Sequence, residues 1–240
     1  MRGTAKENTF RGSKSMVVII AAGIAGAIVF GLVGVKVLFP SAPSDEWFVG
    51  KGAHKGMFVV YQLQQLDTNN DRPFKMMIYF KDQDSNGNWI APVWIQDQSK
   101  TMNATLKLSS ISLSPLATGN TSQEMSPYLD AYSNSLGWIS AFANAAQPQS
   151  LSSAYWGKIA NIGGAPISPT GTERIIEPAG AFNTTVVGWH KGLDNKIWIV
   201  QDFPYPVKAL TYAEVTSGQP PILFAFDLLR TGTGNPPAPS

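Results

Sequence analysis

Cysteine is absent from this 240-residue chain, and histidine occurs only twice, at His54 and His190. The first absence excludes thiol catalysis, cysteine-ligated zinc and disulfide staples. The second leaves a transition-metal centre only if both imidazoles and several carboxylates converge, so no metal and no cofactor is expected. Charge is also scarce: 14% of residues are charged, against roughly 25% in an ordinary domain. What charge there is sits unevenly. Residues 1–14 carry Arg2, Lys6, Arg11 and Lys14 against Glu7 alone, whereas from residue 37 onward thirteen basic side chains face fifteen acidic ones. A folded surface without a basic stripe argues against nucleic-acid binding.

Catalytic signatures are equally thin. No Gly-x-Ser-x-Gly elbow is present, and Gly163-Gly164 lacks the spacing of a phosphate-binding or dinucleotide-binding loop. Glu173 and Glu177 form a carboxylate pair too generic to imply glycoside chemistry. Asp82-Gln-Asp84-Ser-Asn86-Gly87 matches the first half of a calcium loop, but Val93 stands where the closing glutamate belongs. The same residues make an ordinary hairpin turn, which is the preferred reading.

Against these absences stands one long apolar run. Residues 16–35 contain no charged or strongly polar side chain, and eleven of the twenty are Val, Ile, Leu or Phe. At 1.5 Å per residue a helix of that length spans ~30 Å, the thickness of a hydrocarbon layer. Lys14 and Lys36 bracket it. The positive tail keeps the N-terminus in the cytoplasm, so the remainder is expected outside as the extracytoplasmic part of a single-pass membrane protein. A cleaved signal peptide, cut after Ala42, and a prepilin-like leader, cut near Gly12, are the rivals. Gly23, Ala27 and Gly31 recur every fourth residue, a small-residue stripe that suits helix packing in lipid. The chain therefore divides into a basic tail (1–14), a transmembrane helix (15–36), a juxtamembrane linker (37–52), a β-rich body (53–230) and a Pro/Gly tail (231–240). Trp47 and Phe48, in the linker, suit the membrane surface.

The body is rich in turns, with 22 Gly and 17 Pro in the chain. Strand-like segments cover 57–66, 74–81, 88–96 and 103–112, and again 184–189, 196–202, 207–216 and 222–230. Between them Met125, Leu129, Tyr132, Leu136, Ile139, Phe142 and Ala146 recur at helical spacing, with Ser126-Pro127 at the start. A shorter helix is expected over 151–161 and a long surface loop over 162–181. The expected class is α+β: a curved antiparallel sheet of about eight strands packed on one long and one short helix. If that sheet leaves a groove beside its helix, Trp94, Trp138, Phe142 and Trp156 would line it. Three glycosylation sequons begin at Asn103, Asn120 and Asn183.

The segment Lys196-Ile-Trp-Ile-Val-Gln-Asp202-Phe-Pro-Tyr-Pro-Val-Lys208 is a strand, a Pro-x-Pro corner and the start of another strand. It resembles the corner of curved half-barrel lipoprotein carriers. The C-terminal third, through Gly218-Gln-Pro-Pro-Ile and Phe224-Ala-Phe-Asp-Leu-Leu229, is similar to uncharacterised membrane-anchored proteins of ammonia-oxidising archaea. Neither resemblance brings a catalytic residue with it. The leading expectation is a cell-envelope protein whose outer domain binds or scaffolds without catalysing. Its partners are the bilayer and other envelope proteins, met through the span or the outer domain. The rivals are a carrier or sensor for a lipid or other apolar ligand and an exported hydrolase without a familiar motif.

Overall fold

The computed structural model describes residues 45–98, 100–116, 122–159 and 164–239. The basic tail, the apolar run and the Gly23–Ala27–Gly31 stripe lie outside the described residues, as does Asn120. Among the described residues no helix is long and apolar enough to cross a membrane.

In chain order the strands are β1 (Glu46–Trp47), β2 (Met57–Gln65), β3 (Phe74–Tyr79), β4 (Asp82–Gln83), β5 (Trp89–Asp97), β6 (Lys100–Leu108) and β7 (Pro115–Leu116). After the helix α1 (Ser126–Asn134) come β8 (Gln149–Ser150), β9 (Gly157–Ile159), β10 (Ala165–Glu177), β11 (Gly180–Lys191), β12 (Leu193–Ile199), β13 (Lys208–Tyr212) and β14 (Ile222–Thr233). Twelve of them form one antiparallel sheet in the order β7-β6-β5-β3-β2-β14-β13-β12-β11-β10-β9, with β4 beside β5. Two meanders therefore meet where the first long strand, β2, pairs with the last, β14. Period-2 patterning assigns the faces. Phe74, Met76 and Ile78 of β3 enter the main core, while Met77 joins a separate cluster on the other face.

This corrects the expected α+β class. The described residues hold fourteen strands, one nine-residue α-helix and two short 3-10 turns. The long helix expected from the apolar stripe ends early. Ser133 and Ser135 hydrogen-bond back to Leu129 and Ala131, the chain leaves helical geometry at Ser135, and a 3-10 turn follows at Trp138–Ala141. Hydroxyl back-bonding competes with the helix ladder, and Gly137 adds a propensity cost, so packing keeps the stripe without keeping the helix. Met125, Tyr132, Leu136 and Ile139 are all buried as the spacing required, but Ala146 is exposed. The second expected helix, 151–161, is a turn running into β9, and the expected loop 162–181 contains the thirteen-residue β10.

Aromatic hydrogen bonds tie the layers together. Tyr132 of α1 donates to the Leu113 carbonyl at 2.6 Å and sits 2.8 Å from the Tyr205 hydroxyl, which is left to donate to it. Tyr61 donates to the Pro206 carbonyl at 3.0 Å. Burial pushes all three phenols above their ordinary range, so they remain neutral donors. Trp47 is not at a surface. It is fully buried, stacks on Trp156 at 6.3 Å and donates to the Phe203 carbonyl at 3.0 Å.

Candidate binding groove

The β10–β11 hairpin turns tightly. Glu177 pairs with Gly180, leaving only Pro178-Ala179 in the loop, and proline's fixed φ suits such a corner. On its other side β10 is paired with β9 only over Ala165–Ile167. Among the described residues the rest of that edge has no strand paired with it, although its end lies against β14, where the Ala179 amide donates to the Leu228 carbonyl at 3.3 Å. Pro166 and Pro169, and a register irregularity between Pro169 and Gly171, guard its first half. Thr172 to Glu177 have no such guard.

The hairpin's two faces differ in charge. On the outer face the Glu173 carboxylate accepts hydrogen bonds from the Trp198 indole at 2.8 Å and from Lys196 at 2.9 Å, which hold its pKa below the usual range. Glu177 accepts from Lys208 at 2.9 Å, and Lys208 also reaches Asp227 at 2.8 Å. Burial pushes the Glu177 carboxyl up despite that ammonium, and nearby Asp227 adds to the rise. Burial disfavours the charge on Lys208, but its bonds to Asp227 and Glu177 outweigh this and raise its pKa. Both ammonium groups stand 5.9 Å from the centre of the Trp198 ring, within cation–π range.

On the inner face Thr172, Arg174, Asn183 and Thr185 border an open cavity of about 470 Å³ with Ile199 and Leu151. Arg174 is exposed, and no described residue pairs with it. Glu173 also lines the cavity with its carboxylate paired to Lys196, and Arg174 is the one basic side chain among the lining residues. Beyond it Ile176 is 83% exposed at the hairpin tip. An open strand edge, an unpaired guanidinium and an uncovered isoleucine suit an extended polypeptide carrying a carboxylate and an apolar side chain. Arg174 was not singled out in the sequence. Its signal appears only once β10 is known to be a strand.

The sequence-predicted residues scatter. Trp138 and Phe142 are in contact, with ring centres 5.1 Å apart, and Trp138 also meets Trp189 and Phe224. Trp156 is buried against Trp47 and donates to the Ser150 carbonyl. Trp94 belongs to the cluster on the opposite face of the sheet. The space between α1 and the sheet is filled by a single cluster of buried side chains. Asn103 is exposed across from Trp94, and Asn183 is exposed across from Arg174.

His190 pairs with Asp194 at 2.7 Å on an exposed turn. The hydroxyl in the same cleft belongs to Thr170, which donates it to the Val186 carbonyl. The Asp82–Asn88 segment is a capped turn. One Asp84 oxygen accepts the Asn86 and Asn88 amides, and the other meets Lys107 at 2.5 Å. The Lys107 bond, with help from the amides, lowers the Asp84 pKa to about 2. His54 bonds Thr233 and the Gly52 carbonyl.

No protein-family model and no curated protein matches the chain. Solved structures do show similar strand arrangements. One is MucB, which has also been solved as the Pseudomonas aeruginosa MucA/MucB complex. It has 10% identity and a TM-score of 0.41, covering 79% of this chain and 57% of that one. The chain thus spans little more than half of MucB. Another is a Bacteroides fragilis protein described as exported, with a YmcC-like fold: 14% identity, TM-score 0.37, 78% of this chain and 100% of that one. A third is a Parabacteroides distasonis protein described as a lipoprotein: 8% identity, TM-score 0.37, 77% of this chain and 99% of that one. None transfers a residue role or an activity to this chain.

Proposed function

We propose that residues 45–239 form a non-enzymatic binding module, held on the outer side of a membrane by residues 16–35, that grips an extended segment of a partner protein along β10. The observation that carries this reading is the unpaired Arg174 beside an open strand edge and the exposed Ile176. Main-chain pairing along the edge supplies affinity, and the groove at Arg174 supplies preference for a carboxylate. Two rivals fit less well. A carrier needs an apolar space between sheet and helix, where buried side chains already fill the volume. A hydrolase needs a nucleophile beside His190, and the Thr170 hydroxyl is engaged elsewhere. In the same reading Gly23, Ala27 and Gly31 pack the membrane helix against another, and Asn103 and Asn120 are acceptor sites for glycans, whereas a glycan on Asn183 would cover the groove.

The test is a photo-crosslinking amino acid at position 176 of the full-length chain in its native membrane. The expected result is one discrete protein adduct that disappears when Arg174→Glu is introduced. Adducts that are absent at 176, or unchanged by Arg174→Glu, would overturn the reading.

A further inference from the structure

The outer face of β2, β3 and β5 carries a second apolar cluster, apart from the main core. Phe58, Val60, Met77 and Trp94 are buried there, with Tyr79 and Leu229 against them. Register explains the grouping: Val60 pairs with Met77 and Met77 with Trp94, in a row across three strands, while Phe58 pairs with Tyr79 in the next row. An outer face this apolar needs a cover, and residues 235–239 of the same chain lie there. The Trp94 indole donates to the Pro237 carbonyl at 2.9 Å. Pro236, Pro237 and Pro239 are half-buried, while Ala238 between them is exposed.

The tail reaches this site only as an extended segment. From Thr233 on β14 to Trp94 on β5 is three strand spacings across and three residues along, ~17 Å in all. The four steps from Thr233 to Pro237 cover ~12 Å at the polyproline-II rise, and only ~6 Å as an α-helix. The indole closes the remainder. Prolines at 236, 237 and 239 fix their own φ and hold the residues before them extended, so little entropy is lost on docking. The exit from β14 is anchored as well. Gly234 donates to the Gly56 carbonyl at 2.8 Å, and the Thr233 hydroxyl meets His54 at 3.2 Å. Gly234 has φ +108°, a conformation that redirects the chain and that other residues rarely adopt. At Gly232 a Cβ would lie 2.8 Å from the Phe58 ring, so that ring packs directly on the backbone.

An aromatic floor whose indole N–H binds a prolyl carbonyl is how proline-rich segments are recognised in polyproline-II grooves. We infer that the Phe58–Tyr79–Trp94 patch is a receptor for a proline-rich polyproline-II segment, occupied in cis by residues 235–239 of the same chain. Tail release opens the patch to an equivalent segment in trans. This inference does not depend on the β10 reading.

The probe is a synthetic peptide of residues 233–240, titrated into the intact full-length chain and into the same chain ended after Gly234. Saturable binding is expected for the shortened chain, at least tenfold tighter than for the intact one, whose site is filled. Trp94→Phe in the shortened chain keeps the ring and removes the donor, so affinity falls about fivefold, the worth of one hydrogen bond. Equal binding to both chains, or none to the shortened chain, overturns the inference. If the shortened chain does not fold, the intact chain still decides the matter. With fluorinated tryptophan, Pro236→Gly combined with Pro237→Gly must shift the Trp94 resonance and speed exchange of its indole hydrogen. An unmoved resonance overturns the inference.

Discussion

Met125, Tyr132, Leu136, Ile139 and Ala143 close the inner face of the sheet with one continuous cluster, whereas the outer face is covered in separate pieces. At β12–β14 the cover is the Glu173–Trp198–Lys208–Glu177 array; at β2–β5 it is five residues of tail. The inner seal is distributed over many side chains and cannot open without unfolding. The outer covers are local, and each can be removed by one substitution or a short truncation. Both proposed binding sites therefore lie beyond that seal: the Arg174 groove at the open β10 end of the inner face, and the tail site on the outer face.

Substitutions can break or sharpen that contrast. The largest effect is expected inside: Trp47→Ala removes a fully buried indole, its stacking on Trp156 and its hydrogen bond, and should cost ~3–5 kcal/mol in urea unfolding. A loss comparable to that of a surface residue would mean the inner seal is not continuous. Next comes Lys208→Met, which strands the buried Glu177 carboxyl. Because Lys208 is itself partly exposed, a cost of ~1–3 kcal/mol is expected.

The pH dependence carries a sign. Glu177 has a raised pKa in the fold, so the native state binds its proton more tightly than the unfolded chain does. Its stabilising contribution is full below the ordinary value of 4.5 and is lost as pH rises through the elevated one. Glu177→Gln should abolish that slope in unfolding measured across neutral and mildly acidic pH. Asp84 behaves oppositely. Its contribution is present above 3.8 and is lost as pH falls toward about 2, and Asp84→Asn should flatten the acid limb. The smallest change is expected at Gln65, whose Oε1 is buried without a partner among the described residues. Gln65→Leu should be neutral or stabilising by ~1 kcal/mol, read from the unfolding midpoint.

Much of the first meander was legible. The strand expected over 57–66 is observed at Met57–Gln65, and that over 88–96 at Trp89–Asp97, because aliphatic and aromatic runs lie between clear Asp/Asn turns. The helical stripe named the right buried residues but the wrong element: burial reports spacing, and the serine hydroxyls and Gly137 decided where the helix stopped. The strand β10 was hidden. Ser168-Pro169-Thr170-Gly171-Thr172 has no apolar alternation, and what makes it a strand is pairing with β11, twenty or fewer residues away but invisible to composition. With β10 unseen, Arg174 and Ile176 could not be placed on one face of one strand as a candidate site. Likewise the residues that receive the tail come from several strands, and only the register brings Trp94, Met77 and Val60 into one row.

The most direct test of the central claim is to extract the full-length protein gently from its native membrane and identify by mass spectrometry what accompanies it. The account predicts a stoichiometric protein partner that is lost with Arg174→Glu. One lipid or other apolar ligand per chain, with no protein, would contradict it and return the interior between α1 and the sheet to consideration.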